Sequence, residues 1–197
     1  MEMMSDRMLK ITDLDKPYSV NIVDREEWAE SEPDYMKKGL TWYTDGSKRS
    51  TGTGAGIFGV RPKVRFSISL GKLATVFQAE IIALSECART CVSRGFKGHT
   101  IHISSDSKAA LMALAGHDFT SKAVWECHTA MKQLAKTNSV KLLWVPSHRG
   151  VAGNERADRW ANKGAVNPLI GPEPAPGVAY GFVRNAVRQW VLRAGAL

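Results

Sequence analysis

Four carboxylates stand out in the sequence because the region that contains them is otherwise poor in acids. They are Asp45 in Trp-Tyr-Thr-Asp-Gly-Ser, Glu80 in Phe-Gln-Ala-Glu, Asp106 in Ser-Ser-Asp-Ser and Asp158 in Gly-Asn-Glu-Arg-Ala-Asp. Residues 41–167 hold eight acidic residues against eighteen Lys and Arg, so these four are half of the acids. Acids that served only solubility would be scattered among the lysines. A set of carboxylates in a basic domain indicates a cation site that faces a polyanion.

The residues around each acid indicate where it lies in the fold. Asp45 is bracketed by strand-forming residues, Glu80 interrupts an apolar helical pattern, and Asp106 ends an apolar strand. Asp158 belongs to the opening turn of a predicted helix. Because strand ends and helix starts of an α/β sheet gather at one edge, we expect the four acids to share that edge.

The elements that must position these acids follow from hydrophobic periodicity. Alternating and β-branched runs predict strands over residues 41–47, 55–60, 64–70, 100–105 and 140–145. Thr75-Val-Phe-Gln78 is typical of a capping box that opens a helix toward Gly95. Helices are also predicted over 107–114, 122–136 and 154–163, the last with Asn154 as its cap. The order βββαβααβα predicts an α/β fold in which helices flank a mixed sheet.

Charge and composition divide the chain into three parts. Residues 1–40 are net acidic and show little periodicity, which predicts an extended or partly ordered arm. Residues 41–167 form the predicted domain. Residues 168–197 begin with a linker rich in Pro and Gly and end in a short amphipathic helix, whose apolar face includes Val183, Val187 and Trp190. We expect this helix to dock on the domain or on a neighbouring one.

The overall composition narrows the class of protein. A chain of 197 residues with 44% hydrophobic and 23% charged residues is typical of a globular domain with a core. The net charge of +8 indicates nucleic acid as a partner. No apolar run predicts a membrane span or a signal peptide. The odd number of three cysteines favours free thiols in an intracellular compartment over disulfides or a zinc site.

Four motifs taken together resemble those of a known family. YTDGS at 43–47, the helix bearing Glu80, ISSDS at 103–107 and WVPSHRGVAGNERAD at 144–158 are similar to motifs of the type 1 ribonuclease H family, over residues 41–165. The flanks REEW at 25–28 and GPEP at 171–174 resemble segments that border this domain in insect non-LTR retrotransposon polyproteins. The resemblance implies a three-layer ribonuclease H-like fold. Its five-stranded mixed sheet has three antiparallel strands followed by two parallel ones.

The resemblance also implies an activity. The family cuts the RNA strand of RNA–DNA hybrids endonucleolytically and leaves 3′-OH and 5′-phosphate ends. Asp45, Glu80, Asp106 and Asp158 would hold two Mg²⁺ ions roughly 4 Å apart, with Mn²⁺ as a substitute and Asp45 as the bridging ligand. Mg²⁺ takes hard oxygen ligands, so carboxylates suit it better than Cys or His. His148 would relay protons or help to release product, since imidazole titrates near neutrality.

Further residues match family positions that contact the substrate. Gly46 and Ser47 would approach the RNA sugar-phosphate chain, where the 2′-OH distinguishes RNA from DNA. Thr75, Gln78 and Asn154 match positions that contact the backbone of the hybrid. Thr75 and Asn154 fit the role of helix caps equally well.

Two further local features are the glycines of one loop and a departure from the family pattern. Gly150 and Gly153 would allow the loop over residues 146–153, which carries His148, to move. Val76-Phe77 departs from the family, which usually has small polar or Asn residues there.

The implied partners are an RNA–DNA hybrid and a reverse transcriptase domain, in the same chain or in another. The protein itself is expected to be a monomer that needs no membrane. Two rival interpretations stay open. One is a domesticated copy that binds hybrids without cutting them, which the presence of all four acids disfavours. The other is an integrase- or transposase-like nuclease of the same fold, which Asp158 and the His148 loop disfavour.

Overall fold

A computed structural model describes residues 5–23, 38–147, 150–173 and 175–194. Its strands are β1 Arg7–Thr12, β2 Tyr18–Asn21, β3 Leu40–Lys48, β4 Thr53–Gly59, β5 Val64–Ser69, β6 Thr100–Ser105, β7 Asp118–Ser121 and β8 Ser139–Trp144. Its helices are α1 Val76–Ser93, α2 Lys108–Ala115, α3 Lys122–Ala135, α4 Ala152–Val166 and α5 Tyr180–Ala194.

A six-stranded mixed sheet organises the fold, with the strand order β2-β8-β6-β3-β4-β5. β4 is antiparallel to both β3 and β5, whereas β6 is parallel to both β3 and β8. The predicted α/β fold with a mixed sheet and flanking helices is therefore confirmed. The five expected strands become six because β2, from the N-terminal segment, pairs in parallel with β8.

Helices cover both faces of the sheet. On one face, a Cβ atom at Gly46 of β3 would lie 3.0 Å from the Cβ of Ala79 in α1. On the other face, a Cβ at Gly56 of β4 would lie 2.2 Å from backbone atoms of Ala157 and Ala161 in α4. Gly56 pairs with Asp45, so these two residues face the same side of the sheet. Gly46 follows Asp45 and faces the other side, because successive residues of a strand point to opposite faces. Glycine thus lets both helices approach the central strands closely.

The core between these layers is apolar and continuous. The largest fully buried side chains are Trp42, Tyr43, Phe119, Ile57, Ile81, Leu84, Ile101, Ile103, Leu111, Leu114, Met131 and Leu134. The cysteines Cys87, Cys91 and Cys127 are free and buried in the same core, as their apolar helical positions predict.

Most predicted helix starts agree with the structure. Thr75 accepts a hydrogen bond from the Gln78 backbone N–H, and the Gln78 side chain accepts one from the Thr75 backbone N–H, so the capping box is confirmed. α4 differs from the prediction. It begins at Ala152 after Val151, which offers no side-chain cap, so the prediction of Asn154 as its cap is wrong.

The N-terminal segment is more structured than its weak periodicity predicts. β1 pairs antiparallel with β7, a short strand that hydrophobic periodicity does not predict. The Asp6 carboxylate accepts hydrogen bonds from Ser121 Oγ at 2.7 Å and from the backbone N–H of Ala123 at 2.9 Å, at the start of α3. Residues 5–23 therefore pack on the domain, while residues 24–37, which include REEW, lie outside the described ranges.

The C-terminal segment also contacts the domain before it reaches α5. The Glu173 carboxylate accepts hydrogen bonds from the backbone N–H groups of Lys72 and Leu73. Val178 forms a β-bridge with Ser5. In α5, by contrast, Val183, Val187, Trp190 and Val191 are 41–70% exposed, so docking of this face on the domain is not observed. Among the described helices, none is both long and apolar enough to cross a membrane.

Candidate active site

The parallel pairing of β3 with β6 brings two of the four acids together. The last pair in this register is Thr44 with Ser105, and the next residue after each of them is an aspartate. Asp45 and Asp106 therefore lie side by side at the point where the two strands cease to pair. Asp45 is buried and Asp106 is half-buried.

Helix α1 carries the third acid, Glu80, and contacts β3 closely at this residue. A Cβ atom at Gly46 would lie 2.7 Å from the backbone nitrogen of Glu80 and 3.0 Å from its Cγ. Only glycine allows this approach without a shift of strand or helix. Gly46 therefore has a packing role in addition to the predicted contact with the substrate.

Carboxylate oxygens of Asp45, Glu80 and Asp106 all lie within 4.8 Å of one another. Burial, and then the charges of Asp106 and Asp158, raise the pKa of Asp45 to about 8. Burial, and then the charges of Asp45 and Asp106, raise the pKa of Glu80 well above its ordinary value. Hydrogen bonds from the Gly46 backbone N–H to both carboxylates oppose these shifts only in part. The cluster therefore holds more negative charge than its own donors satisfy.

Asp158 lies on the second turn of α4, in the opposite layer, near enough for its charge to raise the pKa of Asp45. The small residues of β4 and α4 hold this helix against the sheet. Gly153, in the first turn, lies so close to Tyr43 that a Cβ would be 2.1 Å from its ring. Asn162 Nδ2 donates a 2.8 Å hydrogen bond to Asp158 Oδ1 and fixes that carboxylate from the next turn.

Asp106 is held by two neighbours that donate to it. Asn154 Nδ2 donates to Asp106 Oδ2 at 3.1 Å, and Trp144 Nε1 donates to the Asp106 carbonyl oxygen at 3.0 Å. Lys108 lies over the Trp144 ring, 4.3 Å from its centroid. Trp144 stands in an apolar strand, where the sequence gives no sign of a partner for its indole N–H.

The comparison with known families agrees with this geometry. The pattern of the RNase H family matches residues 37–166, which is more than half of the chain. The chain belongs to the RNase H family. Its structure is similar to the crystal structure of RNase H1 from the halophilic archaeon Halobacterium salinarum NRC-1. The TM-score is 0.50 at 25% sequence identity, over 64% of this chain and 96% of that chain.

Membership of the RNase H family makes the protein a ribonuclease H, a hydrolase whose substrates are RNA–DNA hybrids. All four acids lie within the region that the family pattern matches. Glu80 and Asp158 lie on helices of the two outer layers, whereas Asp45 lies in β3 and Asp106 directly follows β6.

The other predicted site residues of this RNase H domain take up different positions. Ser47 Oγ donates to Asn162 Oδ1 at 2.8 Å, which links it to the partner of Asp158. Thr75 caps α1. Gln78 is 1% exposed, and its Nε2 donates to the carbonyl oxygen of Gly177 at 2.7 Å. Both ends of the Gln78 amide are thus bonded within the protein.

His148 lies outside the described residues, so its predicted place beside the acids stays a prediction. Of the two glycines expected to let its loop move, Gly150 has a positive φ of 75° and open space around it. Gly153 is instead buried in the first turn of α4 against Tyr43. The prediction for Gly153 is therefore wrong, because its lack of a side chain serves packing.

Proposed function

We propose that this RNase H domain is an endonuclease that hydrolyses the RNA strand of RNA–DNA hybrids and leaves 3′-OH and 5′-phosphate ends. The observation that carries the proposal is the convergence of Asp45, Glu80 and Asp106 within 4.8 Å, with raised pKa values for the two buried members. A folded protein keeps such a cluster where a cationic ligand offsets the repulsion.

The donor set fits Mg²⁺, with Mn²⁺ as a substitute. It offers carboxylate oxygens only, and Mg²⁺ prefers hard oxygen ligands. We propose that Asp45, Glu80, Asp106 and Asp158 would hold two such ions. When bound, these ions supply Lewis-acid activation of water and neutralise charge at the scissile phosphate.

The residues around the acids have positioning tasks in this proposal. Asn154 and Trp144 hold Asp106 in place, and Asn162 holds Asp158. Rigid support of this kind keeps reactive groups in a productive geometry. We assign His148 the transfer of protons at the reacting oxygens, because imidazole can accept and donate a proton near neutral pH.

Substrate contacts are proposed for Gly46, Ser47, Thr75, Gln78 and Asn154. The backbone at Gly46 and the hydroxyl of Ser47 lie beside Asp45 and can meet the sugar that carries the 2′-OH. Asn154 donates a hydrogen bond to Asp106 at the same edge of the sheet, so it can position both the substrate and this metal-binding carboxylate. Gln78 can contact a strand only after it exchanges its bond with Gly177.

We also propose that the chain derives from a retrotransposon and acts beside a reverse transcriptase domain, in the same chain or another, as a monomer. The support is the resemblance of REEW and GPEP to segments that flank this domain in insect retroelements. A reverse transcriptase produces RNA–DNA hybrids, which are the substrate of this site.

One assay tests the proposed activity against both rivals. Labelled RNA–DNA hybrid, duplex RNA and duplex DNA of one sequence are incubated with the protein, with and without Mg²⁺. We expect Mg²⁺-dependent cuts in the RNA of the hybrid alone. Binding without cleavage would identify an inactive hybrid-binding domain, and equal cleavage of duplex DNA would identify an integrase-like nuclease. Either result would overturn the proposal.

A further inference from the structure

A second charged surface lies on α4, away from the four acids. Five cationic residues, Lys63, Arg65, Arg156, Arg159 and Lys163, line an open groove together with Phe58 and Trp160. We name it the basic groove. Lys63 and Arg65 come from the β4–β5 turn and from β5, and the other three cations come from α4. It lies over β4 and β5, at the end of the sheet order.

The groove holds its cations without acidic partners. All five cationic residues are exposed, and none of them forms an ion pair with a carboxylate of the described residues. Several other exposed cations of the protein do form such pairs, such as Lys10 with Asp118 and Arg89 with Glu86. Like charges grouped in this way repel one another, so an anion from outside would stabilise them.

Aromatic rings support three of these cations. Arg156 lies 5.0 Å from the centroid of the buried Phe58 ring. Arg65 and Lys163 lie 5.8 Å and 4.8 Å from the centroid of Trp160. Such contacts fix long side chains and lower the entropy lost when they bind an anion. Since cations lie over Trp160, its ring is not open for base stacking, and the groove is suited to phosphates.

The groove and the acid site lie on opposite flanks of the same helix. Asn154, Asp158 and Asn162 recur every four residues on the flank that faces the acids. Arg156, Trp160 and Lys163 recur at helical spacing on the other flank, and buried small residues such as Ala157 and Ala161 lie between the flanks, against the sheet. An α-helix with side chains is about 10–12 Å wide. One nucleic acid chain that crosses α4 can therefore reach both.

We propose that the basic groove binds the phosphodiester chain of the nucleic acid outside the segment that is cleaved. This inference rests on the proposed function, because it assumes that a nucleic acid occupies the acid site. The bound chain is either the same hybrid, continued beyond the site, or a single strand that extends from it. Both present the same phosphates, and probe length distinguishes them.

The test compares two variants with the same loss of charge. Arg65→Gln/Arg156→Gln/Lys163→Gln removes three cations of the groove. Arg94→Gln/Lys97→Gln/Lys136→Gln removes three exposed cations at the ends of α1 and α3. Dissociation constants are measured by fluorescence anisotropy over a range of salt, in an Asp45→Asn background without divalent metal. The probes are a short hybrid, a longer hybrid and the short hybrid with a single-stranded tail.

We expect the groove variant to weaken binding of the longer or the tailed probe and to leave the short hybrid unaffected. The slope of log K against log salt should fall by about 1 for each lost phosphate contact, thus by about 2–3 in total. The control variant should keep the wild-type slope. The charge-preserving Arg65→Lys/Arg156→Lys/Lys163→Arg should restore most of the slope, and unchanged melting by circular dichroism should show that all variants fold.

Each outcome of the binding experiment tests the basic groove and not the nuclease activity. Loss on the longer hybrid alone identifies a continued duplex, and loss on the tailed probe alone identifies a flanking strand. Equal slopes for the groove variant and wild type on every probe would overturn the proposal. So would groove-dependent binding of poly-glutamate with unchanged hybrid binding, which would identify an acidic protein as the partner. Failure of the proposed nuclease activity would appear instead in the cleavage assay.

Discussion

Two groups of ionisable side chains in this protein behave in opposite ways. One is the acid cluster of Asp45, Glu80 and Asp106. The other is a network that joins the N-terminal segment to α3, made of Asp13, Tyr18, His128 and Lys132, which we name the Asp13 network. In it, the Tyr18 hydroxyl lies 2.7 Å from His128 Nδ1, and His128 Nε2 lies 3.1 Å from Asp13 Oδ2.

The pKa directions separate the two groups. Hydrogen bonds, first from Lys132 and then from His128, lower the pKa of Asp13 well below its ordinary value. In the acid cluster, burial and like charges raise the pKa of Asp45 to about 8. Asp13 therefore has cationic partners for its charge, whereas at Asp45 the hydrogen bond from the Gly46 N–H does not offset burial and like charges.

The difference distinguishes a structural network from a binding site. A network whose polar atoms are paired within the protein stabilises the fold and needs no ligand. A buried cluster of one sign of charge costs stability, and it is retained where a ligand supplies the opposite charge. Only the acid cluster lies at the strand ends where β3 and β6 separate.

Loss of the Asp45 carboxylate should have the largest effect. We expect Asp45→Asn to lower hybrid cleavage by more than about 10³-fold, because it removes a charge from the ion site at nearly constant volume. The thermal midpoint should stay equal or rise, since repulsion is relieved. Gel cleavage assays and circular dichroism melting measure both. Substantial Mg²⁺-dependent cleavage by the folded variant would remove Asp45 from the site.

Removal of the metal should match that loss and also change stability. Chelation by EDTA should abolish cleavage and leave the secondary structure intact. Mg²⁺ at about 100 times its dissociation constant should stabilise the wild type by roughly 2.7 kcal/mol, because it binds the folded state. The midpoint of Asp45→Asn should respond much less. An equal response of the two proteins would place the ion elsewhere.

A smaller effect is expected at His148. His148→Ala should slow turnover by about 10²–10⁴-fold and leave a measurable residual rate, because in the proposed function the histidine only assists proton transfer and the acids are still in place. The pH–rate profile of the wild type should show an imidazole titration that the variant lacks. Identical profiles for the two proteins would assign His148 a structural role only.

The Asp13 network should affect stability and not catalysis. Tyr18→Phe removes the hydroxyl that pairs with His128 and leaves a buried ring nitrogen unbonded, which should cost about 1–3 kcal/mol of unfolding free energy. Urea denaturation measures this loss. Tyr180→Phe, at a 58% exposed tyrosine, is the matched control and should have no effect. Hybrid cleavage by folded Tyr18→Phe should equal that of wild type; a loss would couple this network to the site.

The smallest predicted effect is a pH dependence of stability. Burial lowers the pKa of His128 below its ordinary value of 6.5, against the opposing charge of Asp13. The folded state therefore resists protonation, so this contribution to stability is present above pH 6.5 and is lost as pH falls toward the folded pKa. Urea midpoints should fall less on acidification in His128→Gln than in wild type. Parallel curves would contradict the assignment.

Much of the fold follows from local patterns. The strands over 41–47, 55–60 and 100–105 and the capping box at Thr75 correspond to β3, β4, β6 and the start of α1. Each has a clear period of hydrophobic residues or a local cap. β1, β2 and β7 were not predicted, because β1 has no buried residue and β2 and β7 have only four residues each, too few for a period to be visible. They form strands because they pair with segments that are distant in the sequence.

The sequence by itself determined which side chains could do chemistry. It singled out Asp45, Glu80, Asp106 and Asp158 as acids in a basic domain, because residue type and local context are properties of the chain. The predicted order of elements placed them at one edge of a sheet. Three of them converge there, and Asp158 lies near enough for its charge to raise the pKa of Asp45.

Only the tertiary structure decided what the neighbouring residues do. Asn154 fits a helix cap by local pattern, yet its side chain bonds Asp106, which is 48 positions away. Gln78 bonds Gly177 across 99 positions, and the basic groove joins α4 to residues about a hundred positions earlier in the chain. Local propensity acts over a few residues, whereas such contacts exist only after the chain has folded and packed. The physical reason is that a polar side chain takes the partner that packing brings within reach, and this partner is not encoded in the residues beside it.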